Sequence, residues 1–416
     1  MKISFKYLYA LPMFWVLLNG ETLLDLTGLS DSQVNKPSGL IAAATTFLFV
    51  KNFSPYMKKW LLVITIYLLI LMLESFHDYS SFFQYPHVFL KIFNFYLMFC
   101  IYGFYKKYLD KAPILDITAW LILIFYVIAA VTIKRETFSM SAFSENRRGF
   151  NSTEVYIFII SFLYFFNKYF YNKKFINILI FFIILTLVVF SNQRTVWAST
   201  LIGFILNIIF ISRSNFRINM GALAPVFLMV SIVLIVVSTV IITNEEIMKT
   251  FEKRMKGFTQ ADNDDEGGTA AWRRQQWESY LPVVEQNILF GLRLKGFEHP
   301  VLFHHFEGGE WVNTGHHFHS YYLDKLFYFG IIGLLISTVP LYFYILKLIF
   351  FVRKFIISEQ IILVSYIMTF AVFGIGYDIP FPIYGFVGLG FAYLERDYTA
   401  TDKKEKVTEK AMSVSQ

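Results

Sequence analysis

Long apolar runs separated by short polar breaks dominate the chain. They predict helices near 6–20, 38–50, 60–76, 86–105, 114–133, 153–171, 175–192, 195–212, 219–243, 321–350, 356–375 and 380–395. The second run is short and the tenth long. Crossing a bilayer core takes about 20 predominantly apolar residues. In hydrocarbon each backbone polar group must be satisfied within its own segment, and runs of this length do not suit barrel strands. The expected fold is therefore all-α, a polytopic membrane protein of about twelve transmembrane helices. Lys2 and Lys6 before Tyr7 to Leu18 have the look of a signal peptide, but no small-residue cleavage site follows. The segment reads as an uncleaved first helix.

The polar breaks carry an orientation. Lys51, Lys58 and Lys59 share one break, and Lys106, Lys107 and Lys111 the break two further on. Lys168, Lys173 and Lys174, then Arg213 and Arg217, then Arg353 and Lys354 continue the alternation. Breaks between them, such as 77–85 and 376–379, hold neither Lys nor Arg. The positive-inside rule then puts both termini in the cytoplasm. Residues 1–243 carry the first nine helices and 321–395 the last three. Between them 244–320 forms one large external loop, and 396–416 is a basic, disordered cytoplasmic tail.

Composition agrees. Of 416 residues 56% are hydrophobic and only 16% charged, against roughly 25% charged in soluble domains. Too few polar segments remain to cover a soluble core. The net charge of +7 is mostly topology signal and calls for no nucleic-acid partner. The lone Cys100 lies in an apolar run and excludes an intramolecular disulfide framework. Oligomeric state is not readable from the chain.

Chemistry concentrates on the external side. Residues 134–152 hold Lys134, Arg135, Arg147 and Arg148, cations on the wrong face for topology, which suggests an anionic ligand. Lys134 and Arg135 read as tolerated surface charges. In the large loop, Asn244 to Phe258 has helical apolar spacing, 261–268 is an acidic turn without calcium-loop order, and Thr269 to Gln286 reads as a helix. Residues 287–318 look like a shaped loop. Arg194, in Ser-Asn-Gln-Arg-Thr, stands at a membrane edge, where it is either functional or a snorkelling anchor. Arg273 and Arg274 open the loop helix, and guanidinium forks suit phosphate oxygens. A solvated helix face is the plainer explanation for them. Six of eight histidines fall at His299, His304, His305, His316, His317 and His319. Their spacing does not suit zinc, and no Cys or ordered carboxylate completes a set. One of them as a general base fits better, since a free imidazole titrates near neutral pH.

Taken together these residues resemble a known pattern. His319-Ser320 is followed by nine residues, Gly330, two residues and Gly333. This is similar to the H-S-x9-G-x-x-G motif of the bacterial O-antigen ligases and their relatives, the O-antigen polymerases. Arg273-x3-Trp277 followed by Asn287 to Gly291 resembles the superfamily's loop helix. Ser191 to Thr195 resembles its Ser-Arg-Thr element, and Arg147-Arg148-Gly149-Phe150 faintly resembles an earlier arginine-glycine segment. Ser320 stands where many relatives have asparagine. The resemblance spans about residues 145–335 and implies a GT-C-like membrane glycosyltransferase. Its donor would be a glycan on undecaprenyl diphosphate and its acceptor, in a ligase, lipid A–core. It would need no nucleotide sugar, metal or cofactor. It makes His319 the general base and Arg194 and Arg273 the catalytic cations. Arg274, Arg147 and Arg148 are further diphosphate contacts, while Ser320, Gly330, Gly333 and Trp277 shape the motif. Which of Arg273 and Arg274 faces substrate is open. So is ligase against polymerase. A transporter of lipid-linked glycans is the alternative from another class, with Asp378 beside Pro380 and Pro382 its best residue. A polar turn explains Asp378 more simply.

Overall fold

A computed structural model describes residues 5–29, 31–135, 149–191, 193–212, 268–302, 318–351 and 357–396, with scattered positions between 224 and 249. Among the described residues there is no strand. The helices are α1 (Leu11–Leu18), α2 (Glu21–Thr27), α3 (Asp31–Phe49), α4 (Pro55–Tyr79), α5 (Pro86–Tyr108) and α6 (Ile114–Thr132). They continue with α7 (Ser152–Asn172), α8 (Phe175–Phe190), α9 (Arg194–Ser212), α10 (Gly268–Gln286) and α11 (Lys295–Glu298). Last come α12 (Tyr321–Phe351), α13 (Ser358–Gly376) and α14 (Phe381–Leu394). Helices α4, α5, α6, α9, α12 and α13 are long and apolar enough to cross a membrane, and α8 and α14 are shorter apolar helices. The chain is a helical membrane protein.

Observed ends differ from the apolar runs where polar caps decide them. The first run is 3-10 backbone to Ala10, then α1, then a separate α2 closed by Gly28 at φ 69°. α3 starts well before residue 38, through a polar turn that includes Pro37. Ser54 caps α4 by accepting from the Met57 N–H at 3.3 Å, with Pro55 in the first turn. α7 opens on a reciprocal capping box between Asn151 and Glu154.

Close packing fixes the bundle. α14 is wedged in by its glycines: a Cβ at Gly388 would stand 2.3 Å from the Met98 carbonyl oxygen, and one at Gly385 2.5 Å from Val16. Without a hydrophobic drive between helices in lipid, small residues and buried polar pairs do this work. Asn167 of α7 and Asn207 of α9 exchange hydrogen bonds of 3.1 and 2.7 Å, and Tyr156 bonds Thr369 of α13 at 2.8 Å.

The long tenth run is one helix broken at Gly330, which has φ 62° and ψ −166°. Only glycine adopts that region readily. The break frees donors and acceptors, and residues 288–293 take them up. Ile331 and Ile332 N–H groups donate to the Ile288 and Leu289 carbonyls at 2.8 and 3.1 Å. Leu292 and Arg293 N–H groups donate to the Phe327 and Tyr328 carbonyls at 2.8 and 2.7 Å. Two backbones touch here: a Cβ at Gly330 would lie 2.4 Å from the Leu289 oxygen, and one at Gly291 2.5 Å from the Phe329 nitrogen. Gly333 sits under Phe329, whose Cβ would be 2.1 Å from an added one. Gly291 and Gly330 thus form one backbone lock, and Gly333 leaves room for the Phe329 side chain beside it. Arg293 extends from it to grip Glu74 of α4 at 2.7 and 2.9 Å.

Candidate active site

Among the described residues, Arg194, Arg273 and His319 lie at the end of the bundle formed by Ser191, Gln193, α10, 318–320 and 377–380. α10 is placed by one stripe: Gln276, Tyr280 and Val284 are buried, and Trp277 and Val283 pack against the core. Arg273 lies on this stripe. Its guanidinium stands over the Tyr377 ring, 4.7 Å from the centroid. It also fills the space at Gly376, where an added Cβ would meet Arg273 Nη1 at 3.4 Å and Thr195 Oγ1 at 2.8 Å. Thr195 follows Arg194, the half-buried first residue of α9. So the end of α13 holds Arg273 beside the start of α9. Among the described residues no carboxylate pairs with Arg273, and its buried Nε makes no hydrogen bond. Arg274, turned about 100° further round the helix, is exposed and pairs with Glu278 at 3.1 Å.

His319 sits in the link before α12 and is exposed. Its N–H donates to Gln276 Oε1 at 3.3 Å, one turn of α10 beyond Arg273. Phe318 is buried between Tyr280 and Phe327, with centroids 4.9 Å away in each case. Ser320 is buried, its hydroxyl donating to the Gly374 carbonyl at 3.4 Å. Tyr321 N–H donates to the Tyr377 carbonyl at 3.2 Å. The histidine link is therefore stitched to α10 on one side and to residues 374–377 on the other. Those same residues hold Arg273 and touch Thr195.

Behind this link is a buried ion cluster. Lys91 of α5 donates to Asp324 of α12, Lys325 Nζ stands 3.8 Å from the other Asp324 oxygen, and Asp378 faces all three. Two cations and two carboxylates balance, as burial in a low-dielectric bundle requires. Burial, and then the Asp324 carboxylate, push the Asp378 pKa up, while Lys91 and Lys325 pull it down. Asp378 is thus more than a polar turn. The run of apolar residues hid Lys91, Asp324 and Lys325 because charges near helix ends read as boundaries.

Lys134 also needs correction. It is not a surface charge: its ammonium sits 3.4 Å from both Asp25 and Glu154, over the Phe150 ring. Arg135 is exposed, bonding the Val131 carbonyl at 3.0 Å. Arg147, Arg148, His304, His305, His316, His317, the acidic turn 261–267 and the tail beyond 396 lie outside the described residues. So does most of the segment Asn244 to Phe258. His299 bonds the Pro300 carbonyl at 2.9 Å. Gln276, Phe318 and Tyr377 carry no motif that marks them, whereas Thr195 belongs to the Ser-Arg-Thr element. Only Gln276 left a signal, standing i+3 from Arg273 on the buried stripe.

Fold and site define a polytopic helical membrane protein with cations, a histidine and buried ion pairs at one end. Over residues 179–337 the chain matches the family model described as O-antigen ligase, the superfamily its motifs resemble. The matched stretch includes Arg194, Arg273, His319, Gly330 and Gly333, and leaves out Tyr377 and residues 147–148. A search of the curated proteins gave no match.

Proposed function

We propose that the protein is an O-antigen ligase. It transfers a polysaccharide from undecaprenyl diphosphate to a sugar of lipid A–core in lipopolysaccharide assembly. The observation that carries the reading is the convergence of Arg273, Thr195 beside Arg194, and the His319 link on one turn, residues 374–377.

The chemistry follows from charge. An acceptor hydroxyl attacks the anomeric carbon. The new carbon–oxygen bond forms as the bond to phosphate breaks, and the electron pair leaves with the diphosphate. Fixed cations stabilise that growing charge. Arg273, held by a ring rather than by a carboxylate, keeps its N–H groups for phosphate oxygens. Arg194 acts from the facing helix start, and Arg147 and Arg148 add to the donor site. His319, exposed, takes the acceptor proton. Displacement without an enzyme nucleophile inverts the anomeric centre and uses no metal. Arg274, tied to Glu278, is the lesser of the two adjacent arginines. The site faces away from the cytoplasm of a bacterial inner membrane, with both termini cytoplasmic.

The test is purified protein in lipid with a lipid-linked donor. Arg194→Ala, Arg273→Ala and His319→Ala are each expected to fold and to lose about 10²–10⁴ of transfer. Full activity of His319→Ala removes the base assignment. A deletion strain separates the two superfamily activities. Ligase loss leaves long lipid-linked chains and bare core, whereas single repeats on core indicate a polymerase.

A further inference from the structure

The loop after α10 presents three consecutive large apolar side chains outward: Ile288, Leu289 and Phe290, the last two 57% and 52% exposed. Protein partners satisfy two of their carbonyls and the donors that follow them. The Ile288 and Leu289 carbonyls accept from α12, and the Gly291, Leu292 and Arg293 N–H groups all donate to protein carbonyls. Irregular backbone enters a bilayer only when satisfied in this way.

Depth points the same way. From Gly330 to Phe351, α12 is about 32 Å long at 1.5 Å per residue, close to the roughly 30 Å of a hydrocarbon core. The break, and the loop locked into it, therefore lies near the hydrocarbon boundary rather than out in solvent. The loop also continues a surface that must face lipid. On α4, Leu62, Ile66, Leu69, Ile70, Leu73 and Phe76 are exposed along a span long enough to cross the membrane. Arg293 fastens the loop to that helix through Glu74.

We propose that residues 288–290 are a wedge set into the leaflet on the site's side, and that its partner is the acyl chains of membrane lipids. α10 runs into this wedge at Gln286, so the wedge fixes the height of Arg273 above the hydrocarbon. The inference does not rest on glycosyl transfer.

Wild-type protein in vesicles of phosphatidylethanolamine and phosphatidylglycerol tests it, labelled with a carbene reagent that partitions into the bilayer. The tryptic peptide 275–293 reports the loop. Leu289 and Phe290 are expected to be modified as heavily as Leu69 and Leu73. Labelling no higher than at the buried Leu294 overturns the proposal. Cys100 is buried, so Leu289→Cys offers an independent spin-label site. Collisions with oxygen severalfold above those with a water-soluble nickel complex support the wedge. The reverse ranking, matching a label at the exposed Lys295→Cys, refutes it.

Discussion

The two ends of the bundle handle charge differently. At the end away from the site, Glu395 accepts from Ser54 at 2.8 Å and from Tyr102, with Lys106 at 3.5 Å. Asp116 there takes Lys168 at 2.8 Å, and Arg396 pairs with Asp110. Each of these acids meets a base. At the site end Lys91, Lys325, Asp324 and Asp378 close among themselves, yet among the described residues Arg273 meets the Tyr377 face and no carboxylate. A closed pair fastens helices. A cation stacked on a ring keeps its hydrogen-bond donors for an arriving anion. The contrast separates closed ion pairs from a cation held by a ring, at residues that composition treats alike.

Substitutions break that contrast in order of effect. Gly330→Ala strikes what holds the site end together. Its Cβ would overlap the Leu289 oxygen and carbonyl carbon at 2.4 and 2.5 Å, in a backbone region other residues avoid. A loss above about 4 kcal/mol is expected, read as aggregated protein or absent thermal transition in detergent. Glu395→Gln opens a fastener at the other end. Lys106 loses its charged partner and keeps the main-chain carbonyl of residue 395, and stability is expected to drop by about 2 kcal/mol. Transfer per folded molecule stays unchanged, which thermal unfolding and activity measured together will show. Arg274→Ala is the smallest. Its exposed pair with Glu278 contributes under about 0.5 kcal/mol, so transfer and melting temperature should hardly move. A large loss of transfer there would exchange the roles of the two arginines.

Among the described residues the helices of the spans were legible because hydrocarbon imposes one length and one backbone solution; the run 219–243 lies largely outside them. Their joints were not. The Gly330 break is written in the H-S-x9-G-x-x-G spacing, but its partner segment at 288–293 lies about forty residues upstream with no periodicity to announce it. Of the site, Arg194, Arg273 and His319 could be picked from charge and motif. What gathers them could not. Gln276, Phe318 and Tyr377 act through a carbonyl, a ring edge and a ring face, chemistry that common residue types supply anywhere. Lys91 and Asp324 sit on different helices, and pairing across helices is invisible where both faces are apolar.

The glycine lock at 291 and 330 also orders the birth of the protein. The ribosome delivers residues 288–293 before the helix whose N–H and C=O groups they will meet. Until α12 arrives, the Ile288 and Leu289 carbonyls have only water to turn to. That stretch must therefore wait at the surface during insertion until α12 follows it. The candidate face is thus complete only once α12 and α13 have been made, and a chain truncated before them would carry Arg273 without the ring that holds it.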